Sequence, residues 1–177
     1  MGDQAPHQAP PPISGPRLFF EALLGSGLFT GYFPLAPATV TSFFVLVPAY
    51  YVLRFPLWHA LVTTAIFFVG VRVATDLERV WGKDPGRVTI DEVVGTLVTF
   101  FWMVPAPSIW GMLVGFVIWR FFDIVKLPFI DKSQQLRGGW GIMVDDLLAG
   151  ICANVVLRLV LLALVRFAPA VGDVLVR

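Results

Sequence analysis

The chain has 177 residues, 57% hydrophobic and 14% charged, with 13 basic against 12 acidic side chains and a mean hydropathy of +0.79. That is more apolar than a soluble core of this size needs, and it points to a polytopic membrane protein built as one domain. The near balance of charge leaves no broad electropositive face and excludes nucleic acid as a partner. One cysteine, Cys152, and two histidines, His7 and His59, exclude a disulfide framework, a cysteine-rich metal site and most histidine-dependent chemistry.

The first sixteen residues, MGDQAPHQAPPPISGP, lack the basic start and apolar run of a secretory signal. They read as a disordered Pro-rich tail ahead of a single helical domain over 17–177. From Ala22 to Leu53 there is no charge, yet Gly25, Gly27, Gly31, Pro34 and Pro37 interrupt the run. The pattern predicts a helix over about 17–28, a broken or re-entrant stretch, and a second helix over about 39–53. Residues 57–73 are long enough to cross a bilayer, with His59 beside Trp58 reading as interfacial.

The polar segment 74–92 reads as a hydrated loop that can prolong the preceding helix, with a turn at Asp84-Pro85-Gly86. Charge vanishes again between Val93 and Trp119, where Pro105 and Pro107 divide the run into two short helices. The segment LLAGICANVVLRLVLLALVRF predicts a closing span in which Cys152 packs as a small hydrophobe and Arg158 and Arg166 snorkel or pair. No alternating strand pattern occurs, so the expected fold is an all-α polytopic membrane bundle. The Lys- and Arg-rich loops at 72–92 and 120–137 fall on one side, which the positive-inside rule makes cytoplasmic, and residues 34–39 return to the same face.

Charge is concentrated in Arg120 to Gly150, and an ionisable group near a bilayer is costly unless paired, hydrated or bound to a ligand. Asp91-Glu92 and Asp145-Asp146 are doubled carboxylates in similar contexts, VTIDEVVG and IMVDDLLAG, each where a polar loop becomes an apolar helix. Helix capping requires only one carboxylate at each place. The doubling, with a glycine four residues after Asp91 and after Asp146, suggests hard oxygen ligands gathered between closely packed helices. Without histidine or thiolate, such a set favours Mg²⁺, with Asp91, Glu92, Asp145 and Asp146 as candidate ligands and the stretch from Asp84 to Gly95 as half of the site. Arg120, Asp123 and Lys126 follow at i, i+3 and i+6, and Gly138-Gly139 precede the second carboxylate pair where backbone N–H groups can approach an anion. Together these residues describe a phosphate site.

The motifs GSGLFTGYFPLAPATVTS, IDEVVG, RFFDIVKLP and GGWGIMVDDLLAG, in this order, resemble those of the phosphatidylglycerophosphatase A family over most of residues 20–165. The resemblance implies Mg²⁺-dependent hydrolysis of phosphatidylglycerol phosphate, a membrane phospholipid, in the bacterial inner membrane with the site facing the cytoplasm. It implies catalytic roles for Asp91, Glu92, Asp123, Asp145, Asp146 and Lys126. Arg120, Lys126, Thr39, Ser42, Gly138 and Gly139 would bind the substrate phosphate. The chain departs from the family pattern at Ala38 and Thr41, which stand where glycines are usual, and at Leu127, which separates Lys126 from Pro128. Water attack and an aspartyl-phosphate intermediate both stay open, as does a homo-oligomer. Two other classes remain: a transporter using intramembrane carboxylates, and an inactive scaffold that the two replaced glycines would explain.

Overall fold

The computed structural model describes residues 15–103 and 105–176, so the expected tail lies, up to residue 14, outside the described residues. The described chain is all-helical, in order α1 (Pro16–Gly25), a 3-10 turn (Thr30–Tyr32), α2 (Pro37–Val52), α3 (Pro56–Trp81), α4 (Ile90–Thr99), α5 (Ile109–Ile124), α6 (Pro128–Ser133), α7 (Gly139–Phe167) and α8 (Pro169–Val176). Proline opens α1, α2, α3, α6 and α8, where its missing N–H belongs to a first turn that needs no intrahelical partner.

Helices α3 and α7 are long and apolar enough to cross a membrane. At 1.5 Å per residue, their 26 and 29 residues extend about 39 and 43 Å, beyond a hydrocarbon core of about 30 Å. The excess carries their polar ends past the apolar zone. The surface agrees with a lipid surround: Leu57 and Leu162 are 70% and 67% exposed, while Glu92, Asp145 and Asp146 are buried. Helix α7 is the hub, packed on α3, α4, α5 and α8, and it buries a stripe through Asp146, Ala149, Gly150, Ala153, Leu157 and Leu161.

Helix α4 is short and ends inside the bundle. Its terminal carbonyls would be orphaned there, and α7 satisfies them: Asn154 Nδ2 donates to the carbonyls of Thr99 and Phe101, each at 2.9 Å, and an Arg158 guanidinium N–H donates to the Phe101 carbonyl at 2.8 Å. Arg158 therefore pairs rather than snorkels.

Several boundaries differ from expectation. Helix α3 is prolonged to Trp81, as the polar segment after it allowed, whereas α7 begins at Gly139, upstream of the apolar run that predicted it. Helices α6 and α8 were not anticipated. His59 is not an interfacial side chain: it is fully buried, its Nε2 lies 2.9 Å from the Leu97 carbonyl, and its ring packs edge-on to Phe101. Replacing Asn154 with Leu strands the Thr99 carbonyl and leaves that of Phe101 to Arg158 alone, and is expected to destabilise the protein by about 1–3 kcal/mol, read as a lowered unfolding temperature in detergent.

Candidate functional site

The site forms where α2, α4, α5 and α7 meet. Asp91 and Glu92 lie in the first turn of α4, where Thr89, at the N-cap, makes no side-chain capping bond. Asp145 and Asp146 are the seventh and eighth residues of α7, too far from its start to act as caps. The i+4 glycines explain how the helices come so close. A side chain at Gly95 would strike the Trp119 indole of α5, and one at Gly150 would lie 2.7 Å from the Gly95 carbonyl.

Carboxylate oxygens of Glu92, Asp123 and Asp146 all lie within 4.8 Å of one another, a spacing that can hold a metal ion. Arg120 ties two of them, at 2.9 Å to Glu92 Oε2 and 2.8 Å to Asp123 Oδ2. Ser42 Oγ, from α2, also donates to Glu92 Oε2 at 2.8 Å. On the adjoining side Lys126 Nζ and Gln134 Nε2 both donate to Asp145 Oδ2, at 2.6 and 2.7 Å. The opposite oxygens, Asp91 Oδ1, Asp145 Oδ1 and Asp146 Oδ2, are buried with no hydrogen-bond partner among the described residues. Buried acceptors without donors are costly, and a hard cation satisfies them where a proton donor does not reach.

Residues 23–161 match the family described as Phosphatidylglycerophosphatase A. The chain belongs to the phosphatidylglycerophosphatase A family. It is 36% identical over 141 residues, 75% of this chain and 88% of the relative, to a Bacteroides thetaiotaomicron protein described provisionally as a phosphatidylinositol-3-phosphatase. It is 31% identical to the Escherichia coli phosphatidylglycerophosphatase A over 73% of this chain and 76% of that protein. With the Haemophilus influenzae phosphatidylglycerophosphatase A it shares 39% identity over 41% of this chain and 45% of the relative. No solved structure gives a significant match.

All four motif regions quoted for the phosphatidylglycerophosphatase A resemblance reach this junction or its supports, but their residues divide into distinct tasks. Asp123, expected among the catalytic residues, joins Glu92 and Asp146 in the triangle, whereas Asp91 and Asp145 flank it. Asp84 stands outside the triangle, in a polar cavity of about 250 Å³ with Lys83, Gln134 and Gly138. Burial pushes its carboxyl above the usual range, the charge of Asp145 adds to this, and Lys126 opposes it. For Lys126 itself, burial favours the neutral amine, but the hydrogen bond and charge of Asp145 prevail with help from Asp146 and Asp123, so its pKa is raised and it remains a cation.

Of the residues expected on the phosphate, Ser42 serves Glu92 and Thr39 is half-buried without a hydrogen bond among the described residues. The Gly139 N–H is spent on Thr75 Oγ1 at 2.9 Å, and a side chain at Gly139 would strike the Val71 carbonyl. Gly138 and Gly139 thus let the start of α7 rest on α3. Gln134 was missed, because a glutamine in a polar loop carries no mark of function until the fold brings it to Asp145.

Arg120→Met leaves Glu92 and Asp123 uncompensated, and is expected to cost about 3–5 kcal/mol without divalent cation. Unfolding temperatures with and without added Mg²⁺ check this, with a larger recovery on Mg²⁺ in the variant than in wild type.

Proposed function

We propose that the chain is a Mg²⁺-dependent lipid phosphatase that releases phosphate from phosphatidylglycerol phosphate, with its site at the cytoplasmic face of a bacterial inner membrane. The carrying observation is the Glu92, Asp123 and Asp146 triangle beside two cations, Arg120 and Lys126, in a chain of this family. The donor set fits Mg²⁺: oxygen ligands only, with Asp91 and Asp145 oxygens in reserve and positions left for water and substrate phosphate.

When bound, Mg²⁺ would polarise the phosphoryl group and lower the pKa of an attacking water. The protein's own groups do the rest. Arg120 holds Glu92 and Asp123 in register through one nitrogen, which keeps the triangle open despite mutual repulsion. Lys126, its side chain 27% exposed, presents positive charge from the polar side and can neutralise a phosphoryl oxygen. Asp145, bound by Lys126 and Gln134, fixes where that ammonium stands.

The name of the Bacteroides relative favours a second reading in which the headgroup is a phosphoinositide; both substrates present a phosphomonoester to the same residues. The scaffold reading rests on Ala38 and Thr41, and the bonding of Thr41 weighs against it. The Thr41 hydroxyl bonds Thr30 Oγ1 at 2.6 Å and Thr89 Oγ1 at 3.0 Å, and so engages the loop ahead of α4 rather than the carboxylates.

Purified protein in detergent is expected to release phosphate from phosphatidylglycerol phosphate with Mg²⁺ and not with EDTA, and Asp146→Asn to lose that activity by a factor of about 10² or more. Faster release from phosphatidylinositol 3-phosphate would move the assignment to the second headgroup. Thr41→Gly removes buried hydrogen bonds and is expected to cost about 1–3 kcal/mol with no gain in activity. An inactive scaffold would instead gain activity when Ala38 and Thr41 are both replaced by Gly.

A further inference from the structure

Helices α2 and α3 follow one another through a three-residue turn, yet they touch only sparsely, and α2 packs instead on α4 and α5. The gap is an apolar groove of about 490 Å³, within the range of ligand sites. One face of α2 lines it through Thr41, Phe44, Val45, Pro48 and Val52, at helical spacing. Opposite stand Val62 and Ile66 of α3, and the floor is Ile90, Val93 and Leu97 of α4. We propose that this groove holds one acyl chain of the phospholipid whose phosphomonoester occupies the acidic site, an inference that rests on the lipid phosphatase reading.

Three observations select that occupant. First, groove and acidic site share their supports: Thr41 precedes Ser42, which bonds Glu92, and Ile90 and Val93 bracket Asp91 and Glu92 on α4. Second, the groove's hydroxyls sit at that end alone, on Thr30 and Thr41, and they bond each other at 2.6 Å, so the remainder offers an occupant no polar partner. Third, from Thr41 to Val52 is eleven residue steps, a rise of about 16 Å, against about 15 Å for the hydrocarbon of one leaflet. Phe44, 61% exposed, lies at the edge through which a chain can enter from the bilayer.

The test compares wild type with Val62→Trp and Val52→Trp, each filling the groove far from the carboxylates. Phosphate release is measured from a phosphatidylglycerol phosphate with sixteen-carbon chains and from its four-carbon analogue. Displacing two methylenes from the groove is expected to lower kcat/KM for the long-chain lipid on the order of tenfold, with the short-chain rate unchanged. Equal rates on both substrates, or an equal fall on both with unchanged unfolding temperatures, would overturn the proposal.

A second measurement does not depend on turnover. A long-chain lipid phosphomonoester carrying a photoreactive group at its chain end should label α2 and α3 groove peptides of the wild-type protein in excess of a phosphatidylcholine with the same chain. Equal labelling by the two lipids would overturn the groove assignment even in an active enzyme. Selective labelling without phosphate release would retain the groove and remove the phosphatase reading.

Discussion

Glu92 carries its carboxylate into a bundle that offers it one guanidinium, one hydroxyl and two further carboxylates at close range. Burying an ion in apolar surroundings costs several kcal/mol, and removing one partner of such a group costs as much again. Arg120 therefore determines the architecture around it. It must stand on α5 within reach of α4, and its neighbour Trp119, fully buried, sets how close the two helices lie. Only glycine at position 95 admits that indole, and Gly150 lets α7 approach the same turn of α4. Small residues here bring charged side chains together and do not merely fill space.

The short helix α4 meets two opposite demands. Its N-terminal turn places two carboxylates at the junction, where the helix dipole favours negative charge. Its C-terminal end stops among apolar side chains, and Asn154 and Arg158, one turn apart on α7, donate to the carbonyls left without helical partners. Helix α7 thus meets α4 along its length, with Gly150 closing on the Gly95 carbonyl and the Asn154–Arg158 pair holding the C-terminal end. A full-length helix in place of α4 would not need the pair; a half-helix in an apolar medium does.

Much of the fold was legible from hydropathy and proline placement. The two long helices, the short pair around Pro105 and Pro107, and the broken N-terminal region all follow from the spacing of charge and turn residues. The start of α7 was not legible, because GGWG opposes a helix by local preference and forms one only through packing on Val71 and Thr75 of α3. His59 was misread for a related reason. A polar ring near Trp58 and Arg54 looks interfacial until the α4 carbonyl it meets is known. The acidic residues were found as a set, but their sorting into Glu92, Asp123 and Asp146 on one side and Asp91, Asp145 and Asp84 on the other depends on interhelical distances that spacing does not encode.

The central claim is that the Glu92, Asp123 and Asp146 triangle binds a hard divalent cation. Titration of the purified protein with Mn²⁺, followed by electron paramagnetic resonance and competed with Mg²⁺, tests it without any substrate. The account predicts a saturable, Mg²⁺-displaceable site that Asp123→Asn weakens by roughly tenfold or more, since affinity follows the charge of the ligand set. Mn²⁺ binding that is unchanged in a well-folded Asp123→Asn protein, or absent from the wild type, would contradict it.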